Sequence, residues 1–358
     1  MKFNLEILNR YIDEGWVEKT NHPTFPISIY NYTRIAQTEK KWDDITLQCR
    51  ALILDNEGNV VAKGFNKFFN FEELSPTEIP NEPFEVFEKM DGSLGILFNY
   101  NGEWILATKG SFSSDQAVKG MEILKKYRYE RLIEGFTYLF EIIYPENRIV
   151  CNYDFEDLIL LAVIDNKDGY ELKIHDDNIH LDGIRFRNIY NNLGFKLVKK
   201  YDGISDYKTL KSIIKDNQEG FVIKFESGYR MKIKGEEYVR LHWILTGFSN
   251  LDVWEYLRYG KDFNEFLSKV PDEFDVWIKE TARDLFVRYE NIESDYKDIF
   301  DTILKKTNGN RKLFAEHSLR YNHSKLLFHM FDGKPYSDYI WRQIRPVYSK
   351  PFWKKEEI

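Results

Sequence analysis

The feature that most constrains this chain is a change of texture near residue 242. From residue 27 to about residue 234, short β-branched and aromatic runs alternate with Gly, Asn and Asp, the punctuation of antiparallel strands. Arg50-Ala51-Leu52-Ile53-Leu54-Asp55, Asn56-Glu57-Gly58-Asn59 and Val60-Val61-Ala62 read as strand, turn and strand. The same shape is expected over 84–98, around Asp91-Gly92, and over 220–234, around Ser227-Gly228. A helical stretch is expected over 114–134, with Val118, Met121, Ile123, Leu124 and Tyr127 on its apolar stripe. This half is α+β. After about His242 the apolar residues Val276, Ile278, Leu285, Phe286, Tyr289 and Ile292 recur at helical spacing. Pro271-Asp272-Glu273 reads as a helix start and Asn308-Gly309-Asn310 as a break. The expected division is therefore 1–244, rich in strands, and 245–358, all helical. Aromatic residues of the second part, such as Trp254, Tyr256, Trp277 and Phe286, are expected to fill its core.

Bulk properties narrow the function. The length of 358 residues exceeds one ordinary domain. A formal charge of -7 excludes a protein that coats nucleic acid by bulk electrostatics, so any polyanion must meet a local basic groove. No apolar run approaches the roughly 20 residues of a membrane span, and the opening residues lack the apolar core of a signal peptide. A cytoplasmic protein with no membrane contact is expected. Cys49 and Cys151 stand alone, without metal-ligand spacing, and are read as reduced and structural.

The residues that carry chemistry begin with Lys89-Met90-Asp91-Gly92-Ser93, a strand running into a tight turn with lysine two positions before Asp-Gly. A reference pKa near 10.4 leaves roughly one lysine amine in 2,500 uncharged at neutral pH, so a nucleophilic lysine needs desolvation or cationic neighbours. Arg230-Met231-Lys232-Ile233-Lys234 supplies them: alternation puts Arg230, Lys232 and Lys234 on one face and Met231 and Ile233 on the other. Glu219, just upstream at a strand start, offers a carboxylate for a divalent metal beside ammonium groups for a triphosphate. Glu88 is expected to point away from Lys89. Glu141 lies among Leu139, Phe140, Ile142 and Ile143, where a carboxylate is costly without partners. His175 and His180 are read as parts of a solvated loop, and Lys196, Lys199 and Lys200 as a solvated surface.

Taken in order, Tyr30-Asn31-Tyr32, Cys49-Arg50, Lys67-Phe68-Phe69-Asn70, Lys89-Met90-Asp91-Gly92-Ser93, Lys109-Gly110-Ser111, Phe140-Glu141, Asn147-Arg148-Ile149-Val150, Glu219-Gly220 and Lys232-Ile233-Lys234 form one series. In this order the first two thirds of the chain resembles the phage T-even RNA ligase 1 family of covalent nucleotidyltransferases. The resemblance implies an antiparallel-sheet nucleotidyltransferase (ATP-grasp-like ligase) domain; the helical part lies outside it, so substrate specificity does not carry over, and choice of the RNA is the expected role of that part. It implies an ATP-dependent RNA ligase, using Mg2+ or Mn2+, that joins RNA 3′-OH and 5′-phosphate ends through lysyl-AMP and RNA-adenylate. RNA with 3′-OH and 5′-phosphate ends is the expected partner; broken tRNA is one candidate among such RNAs, and an end-healing kinase-phosphatase a candidate second partner. By resemblance Lys89 is the nucleophile; Arg50, Lys67, Lys109, Lys232 and Lys234 bind phosphates. Glu141 contacts the nucleoside sugar, Glu219 is metal-associated, Tyr30 is a nucleotide-side residue, and Asp91 fixes the turn and touches a metal hydrate. The rival readings are a DNA ligase, an mRNA-capping guanylyltransferase, and a noncatalytic RNA-end binder.

Overall fold

The computed structural model describes residues 1–147, 149–176, 180, 181, 184, 185, 193–246, 248–261, 263, 267 and 274–349. Arg148, the side chain of His180 and the expected helix start Pro271-Asp272-Glu273 lie outside the described residues. The chain divides into two compact units, Met1–His242 and Trp243–Ile358.

In chain order the first unit comprises α1 (Leu5–Asp13), β1 (Val17–Asn21), β2 (Ile27–Tyr32), α2 (Arg34–Thr38), β3 (Arg50–Asp55), β4 (Val60–Lys63) and β5 (Phe69–Asn70). There follow β6 (Phe84–Lys89), β7 (Ser93–Tyr100), β8 (Glu103–Thr108), α3 (Asp115–Leu124), β9 (Phe136–Ile143) and β10 (Asp157–Asp165). The short β11 (His180–Leu181) and β12 (Ile184–Arg185) pair with each other. After them come β13 (Lys196–Leu197), β14 (Lys200–Tyr201), β15 (Gly220–Phe225), β16 (Arg230–Lys234) and the helix α4 (Glu236–Thr246).

Apart from the β11–β12 pair, the described strands build three sheets, in the orders β1-β2-β3-β4, β13-β10-β9-β7-β8 and β14-β6-β15-β16-β5. Pairing is antiparallel except for β10 with β13 and β16 with β5, so two of the sheets are mixed. The first two sheets pack face to face through Ile29, Ile53 and Ala62 against Ile96, Phe98 and Leu139. The outer face of the first carries α1, whose Leu8 meets Tyr30, Leu52 and Leu54. The outer face of the second carries α3, whose Ile123 and Leu124 meet Leu97, Tyr138 and Phe140. Apolar residues on both faces bury β2 along its whole length. In the third sheet Val86, Phe221, Ile223, Met231 and Ile233 form the packed face.

Two of the three expected hairpins are present, β3 with β4 and β15 with β16. The third is not. β6 pairs with β14 and β15, whereas β7 pairs with β8 and β9, so Met90-Asp91-Gly92 crosses from one sheet to another. The expected helix over 114–134 is also shorter. α3 starts on its Ser114 cap and ends at Leu124, because Tyr127 turns away to stack on Phe195, ring centroids 4.4 Å apart. Val118 lies outside its apolar stripe, exposed.

The second unit contains α5 (Asn250–Arg258), α6 (Asp275–Thr307), α7 (Arg311–Ser318), α8 (Ser324–Phe331) and α9 (Ser337–Gln343). The break falls at Asn308-Gly309-Asn310: Asn308 is left-handed at φ +48°, and the Asn310 side chain caps α7 by accepting from Lys312 and Leu313 amides. Ile278, Ala282 and Leu285 form the buried stripe of α6, while Val276 and Phe286 are 66% and 47% exposed. Phe286 is thus a rim residue against Trp341, whereas Trp254 is a core residue whose indole donates to the Trp341 carbonyl. Among the described residues no helix is long and apolar enough to cross a membrane.

Candidate active site

The third sheet turns its other face to a cleft. Cross-strand register puts Lys89, Gly220 and Lys234 in one row, then Phe87, Val222 and Lys232, then Glu85, Lys224 and Arg230. Glu219 stands at the head of β15, 3% exposed, between two of these cations. Its Oε2 accepts from Lys89 Nζ at 2.7 Å, and its Oε1 lies 3.3 Å from Lys234 Nζ. Gly220 makes this closeness possible. Its φ is +149°, and a Cβ there would meet the Ile233 carbonyl oxygen at 1.9 Å. Two carboxylate oxygens thus hold the amine of Lys89 and that of Lys234 on one small group.

The turn after Lys89 is held from behind. Asp91 Oδ2 accepts from the amides of Val150 (2.8 Å) and Cys151 (2.7 Å), and Oδ1 accepts from the Tyr238 hydroxyl (2.8 Å). Its own amide donates to the Tyr153 hydroxyl at 2.9 Å. Burial pushes the Tyr238 and Tyr153 phenols upward and the Cys151 thiol to about 12, so all three stay protonated. Asp91 is therefore the anchor of the turn: its two oxygens face three protein donors in a buried setting.

Glu141 comes in from β9. Its Oε1 accepts from the Gly92 amide at 3.0 Å. Burial raises its pKa to about 8; Glu219 and Asp91 push the same way, and Lys89 and the Gly92 amide oppose them. At neutral pH this carboxyl is largely uncharged, and a neutral carboxyl both donates and accepts hydrogen bonds. Glu88 points to the opposite face from Lys89: it pairs across from Phe221, and its electrostatic neighbours are Lys199 and Lys215.

The cleft has a volume of about 650 Å³, and apolar residues that include Phe87, Met90, Leu94, Leu161, Ile174 and Val222 alternate in its walls with charged ones such as Glu85, Lys89, Glu141, Lys200 and Arg230. Arg50 reaches its wall, with its guanidinium 5.5 Å from the Phe68 ring and a buried Nη1 that has no hydrogen-bond partner. Such an orphan donor at a cavity wall suits an anion. Just below Arg50, Ala51 holds a left-handed φ of +58°, its amide fixed by the Asn31 side chain at 2.8 Å.

The remaining expected residues divide. Lys67 is buried inside an aromatic box, 5.3 to 5.4 Å from the Tyr32, Trp42 and Phe69 rings. Lys109 shares the Tyr32 ring at 4.7 Å, and its carbonyl accepts from the Asn31 amide. Tyr30 is corrected: it is packed in the core with Leu8 and Leu52, on the far side of its sheet, and Asn31 and Tyr32 take the polar contacts instead. His175 is not on a solvated loop; it lines the cleft with its ring 5.5 Å from Phe87. Lys200 likewise lines the cleft, paired with Glu85 at 2.7 Å, and is not a solvated surface residue.

One residue had no signal in the sequence. Glu171, on the loop after β10, bridges Lys224 at 2.8 Å and Arg230 in a shorter contact. Burial works against its charge, yet Arg230 and Lys224 hold its pKa below the usual carboxylate range. The bridge ties the loop bearing Ile174 and His175 to the third sheet.

The family model for RNA ligase of the T4 ligase 1 type matches residues 48–238, and the chain belongs to this RNA ligase family. An RNA ligase of Rhodothermus phage RM378 is 26% identical over 380 aligned positions, covering 82% of this chain and 83% of that protein. A Thermovibrio ammonificans protein, provisionally named an RNA ligase, is 32% identical over 230 residues, 60% of this chain and 56% of its own length. A provisionally named bifunctional polynucleotide kinase/RNA ligase of Autographa californica nuclear polyhedrosis virus is 25% identical over 72% of this chain. The chain spans 56% and 40% of the lengths of those last two relatives. Among solved structures, an archaeal ATP-dependent RNA ligase is similar at 18% identity and a TM-score of 0.49, covering 78% of this chain and 75% of that one.

Proposed function

We propose that the protein is an ATP-dependent RNA ligase whose Lys89 forms a covalent lysyl-AMP. The observation that carries this reading is the Lys89 amine, held by Glu219 at 2.7 Å on the wall of a nucleotide-sized cleft. The amine must first give up its ion pair and its proton. Glu219 already faces a second cation, Lys234, so the carboxylate keeps a partner when Lys89 leaves. The freed nitrogen attacks the α-phosphorus of ATP: an N–P bond forms, the P–O bond breaks, and pyrophosphate departs with the electron pair. The AMP then passes to an RNA 5′-phosphate, and a 3′-hydroxyl displaces it to close the strand.

Charge on the phosphates is met by Arg50, Lys232 and Lys234, and the neutral Glu141 carboxyl suits a sugar hydroxyl. Lys67 and Lys109 support the same phosphates through the Tyr32 cluster. Among the described residues no group of three or more His, Cys, Asp or Glu gathers around one point. Glu219 is the carboxylate that would hold Mg2+ or Mn2+ here, and the ion would supply positive charge for the phosphates. The first 244 residues carry this chemistry; the helical remainder, 245–358, selects the RNA. Broken tRNA with ends healed by a kinase-phosphatase is the substrate we favour, in the cytoplasm of a bacterial or phage-infected cell.

Intact-mass measurement after exposure to ATP and Mg2+ tests the reading. One covalent AMP that is lost in Lys89→Ala is the expected result. No adduct with any divalent ion, or an adduct at another residue, refutes it, and a GMP adduct from GTP would move the protein to the capping enzymes.

A further inference from the structure

The cleft at Lys89 is continuous with a second hollow of about 760 Å³. Phe65, Phe68, Glu85, Glu171, Lys224 and Arg230 line both. Lys173 also lines both, and the other walls of the hollow include Tyr170, the turn of the β15–β16 hairpin, and Lys63, Gly64, Asn66, Lys67 and Phe69. Lys63, Lys67, Lys173, Lys224 and Arg230 line it against Glu85, Glu171 and Glu226; Lys224 and Arg230 are paired with Glu171 and Lys67 sits in its aromatic box, so Lys173 is the exposed cation of this lining. That local excess runs against the -7 of the whole chain. Aromatic rings stand among the cations: Arg230 lies 4.5 Å over Phe65, Phe65 and Phe68 meet edge to face at 6.4 Å, and Tyr170 is 55% exposed.

Cations track phosphates and aromatic faces accept bases of any sequence, so this combination suits a single strand of nucleic acid. The groove also shares its lining with the cleft that holds the proposed nucleophile. We infer that it holds the one or two nucleotides of single-stranded RNA next to the reacting end, with Tyr170 as a stacking platform and Lys173 as a phosphate contact. This inference rests on the ligase reading for its choice of RNA, but its test is separate.

Fluorescence anisotropy with labelled oligoribonucleotides measures affinity for the wild type and for Tyr170→Ala, Tyr170→Phe and Lys173→Gln, over a range of salt. Two probes are used, one bearing a 5′-phosphate with a blocked 3′ end, the other bearing a free 3′-hydroxyl and no 5′-phosphate. Tyr170→Ala should weaken at least one probe roughly ten-fold, while Tyr170→Phe keeps its affinity. Lys173→Gln should make the salt dependence shallower by about 0.7 in log–log slope. The probe that responds names the strand seated in the groove. Unchanged affinity of both probes in Tyr170→Ala and Lys173→Gln, or no RNA binding by the wild type, overturns the groove even where ATP labels Lys89. Loss of RNA affinity in the variants of a protein that never labels keeps the groove and overturns the ligase chemistry instead.

Discussion

The raised pKa of Glu141 makes the stability of the nucleotide-free protein fall as pH rises, and Glu141→Gln should remove that fall. The folded carboxyl titrates at about 8 against an ordinary value of 4.5. The folded state therefore keeps a proton that the unfolded chain gives up across this window. Its stabilising effect is whole below the unfolded pKa and is lost as pH climbs through the folded one. At about 1.4 kcal/mol per pH unit the full window is worth roughly 5 kcal/mol, and the open cleft beside the carboxyl screens that to about 2 kcal/mol. For a unit of this size that is a fall of roughly 4–8 °C in melting temperature between pH 5 and 9. Gln at 141 keeps an oxygen for the Gly92 amide but cannot ionise, so its curve should be flatter by that amount. Thermal unfolding after chelator treatment and without nucleotide, at pH 5, 6, 7, 8 and 9, is the assay. Parallel curves for the two proteins would refute burial as the force acting on this carboxyl.

Further consequences of the geometry are as direct. Gly220→Ala should part β15 from β16, costing roughly 3 kcal/mol or more in urea unfolding, because no side chain fits 1.9 Å from the Ile233 carbonyl. Tyr238→Phe removes one donor from buried Asp91 and should cost about 1–3 kcal/mol in the same measurement. Glu171→Gln should flatten the acid side of the stability profile: the native pairs hold this carboxyl below its ordinary pKa, so its contribution exists above the unfolded value and fades as pH falls. In the helical unit, Leu285→Ala should cost about 2–5 kcal/mol and Phe286→Lys, which loses its packing on Trp341, about 0.5–1.5 kcal/mol, which calorimetry on the two variants checks.

What could be read in advance was whatever short-range pattern decides. The alternation of Arg230, Lys232 and Lys234 with Met231 and Ile233 appears in the sheet as one cleft-facing and one packed row, since side-chain direction in a strand is local. The break at Asn308 was legible for the same reason. Tyr30 was not, because β2 is covered on both faces, and periodicity alone cannot say which covered face adjoins the polar cluster. The stretch 84–98 misled because a hairpin turn and a crossing between sheets use the same residues. The choice was made by Tyr153, Tyr238 and the amides at 150 and 151, all more than fifty positions away. Glu171 and His175 sit on an irregular loop, where no period exists to read.

That crossing explains why lysine, aspartate and glycine stand at this spacing. Lys89 ends a strand of the third sheet and Ser93 begins one of the second, so the three residues between them cross from sheet to sheet beside the cleft. Met90 fills a small core with Ile143 and Val198, and Asp91 is clamped by three donors. Gly92 lies so close to β9 that a Cβ would meet the Ile142 carbonyl at 2.7 Å, which brings its amide onto Glu141. Each residue of the turn is thus held by backbone or by a neighbour's side chain, and none of these restraints passes through the lysine amine. Lys89→Ala should therefore keep the turn and the fold while losing the adduct, and a melting temperature lowered by more than a few degrees would show that the amine itself holds the site together.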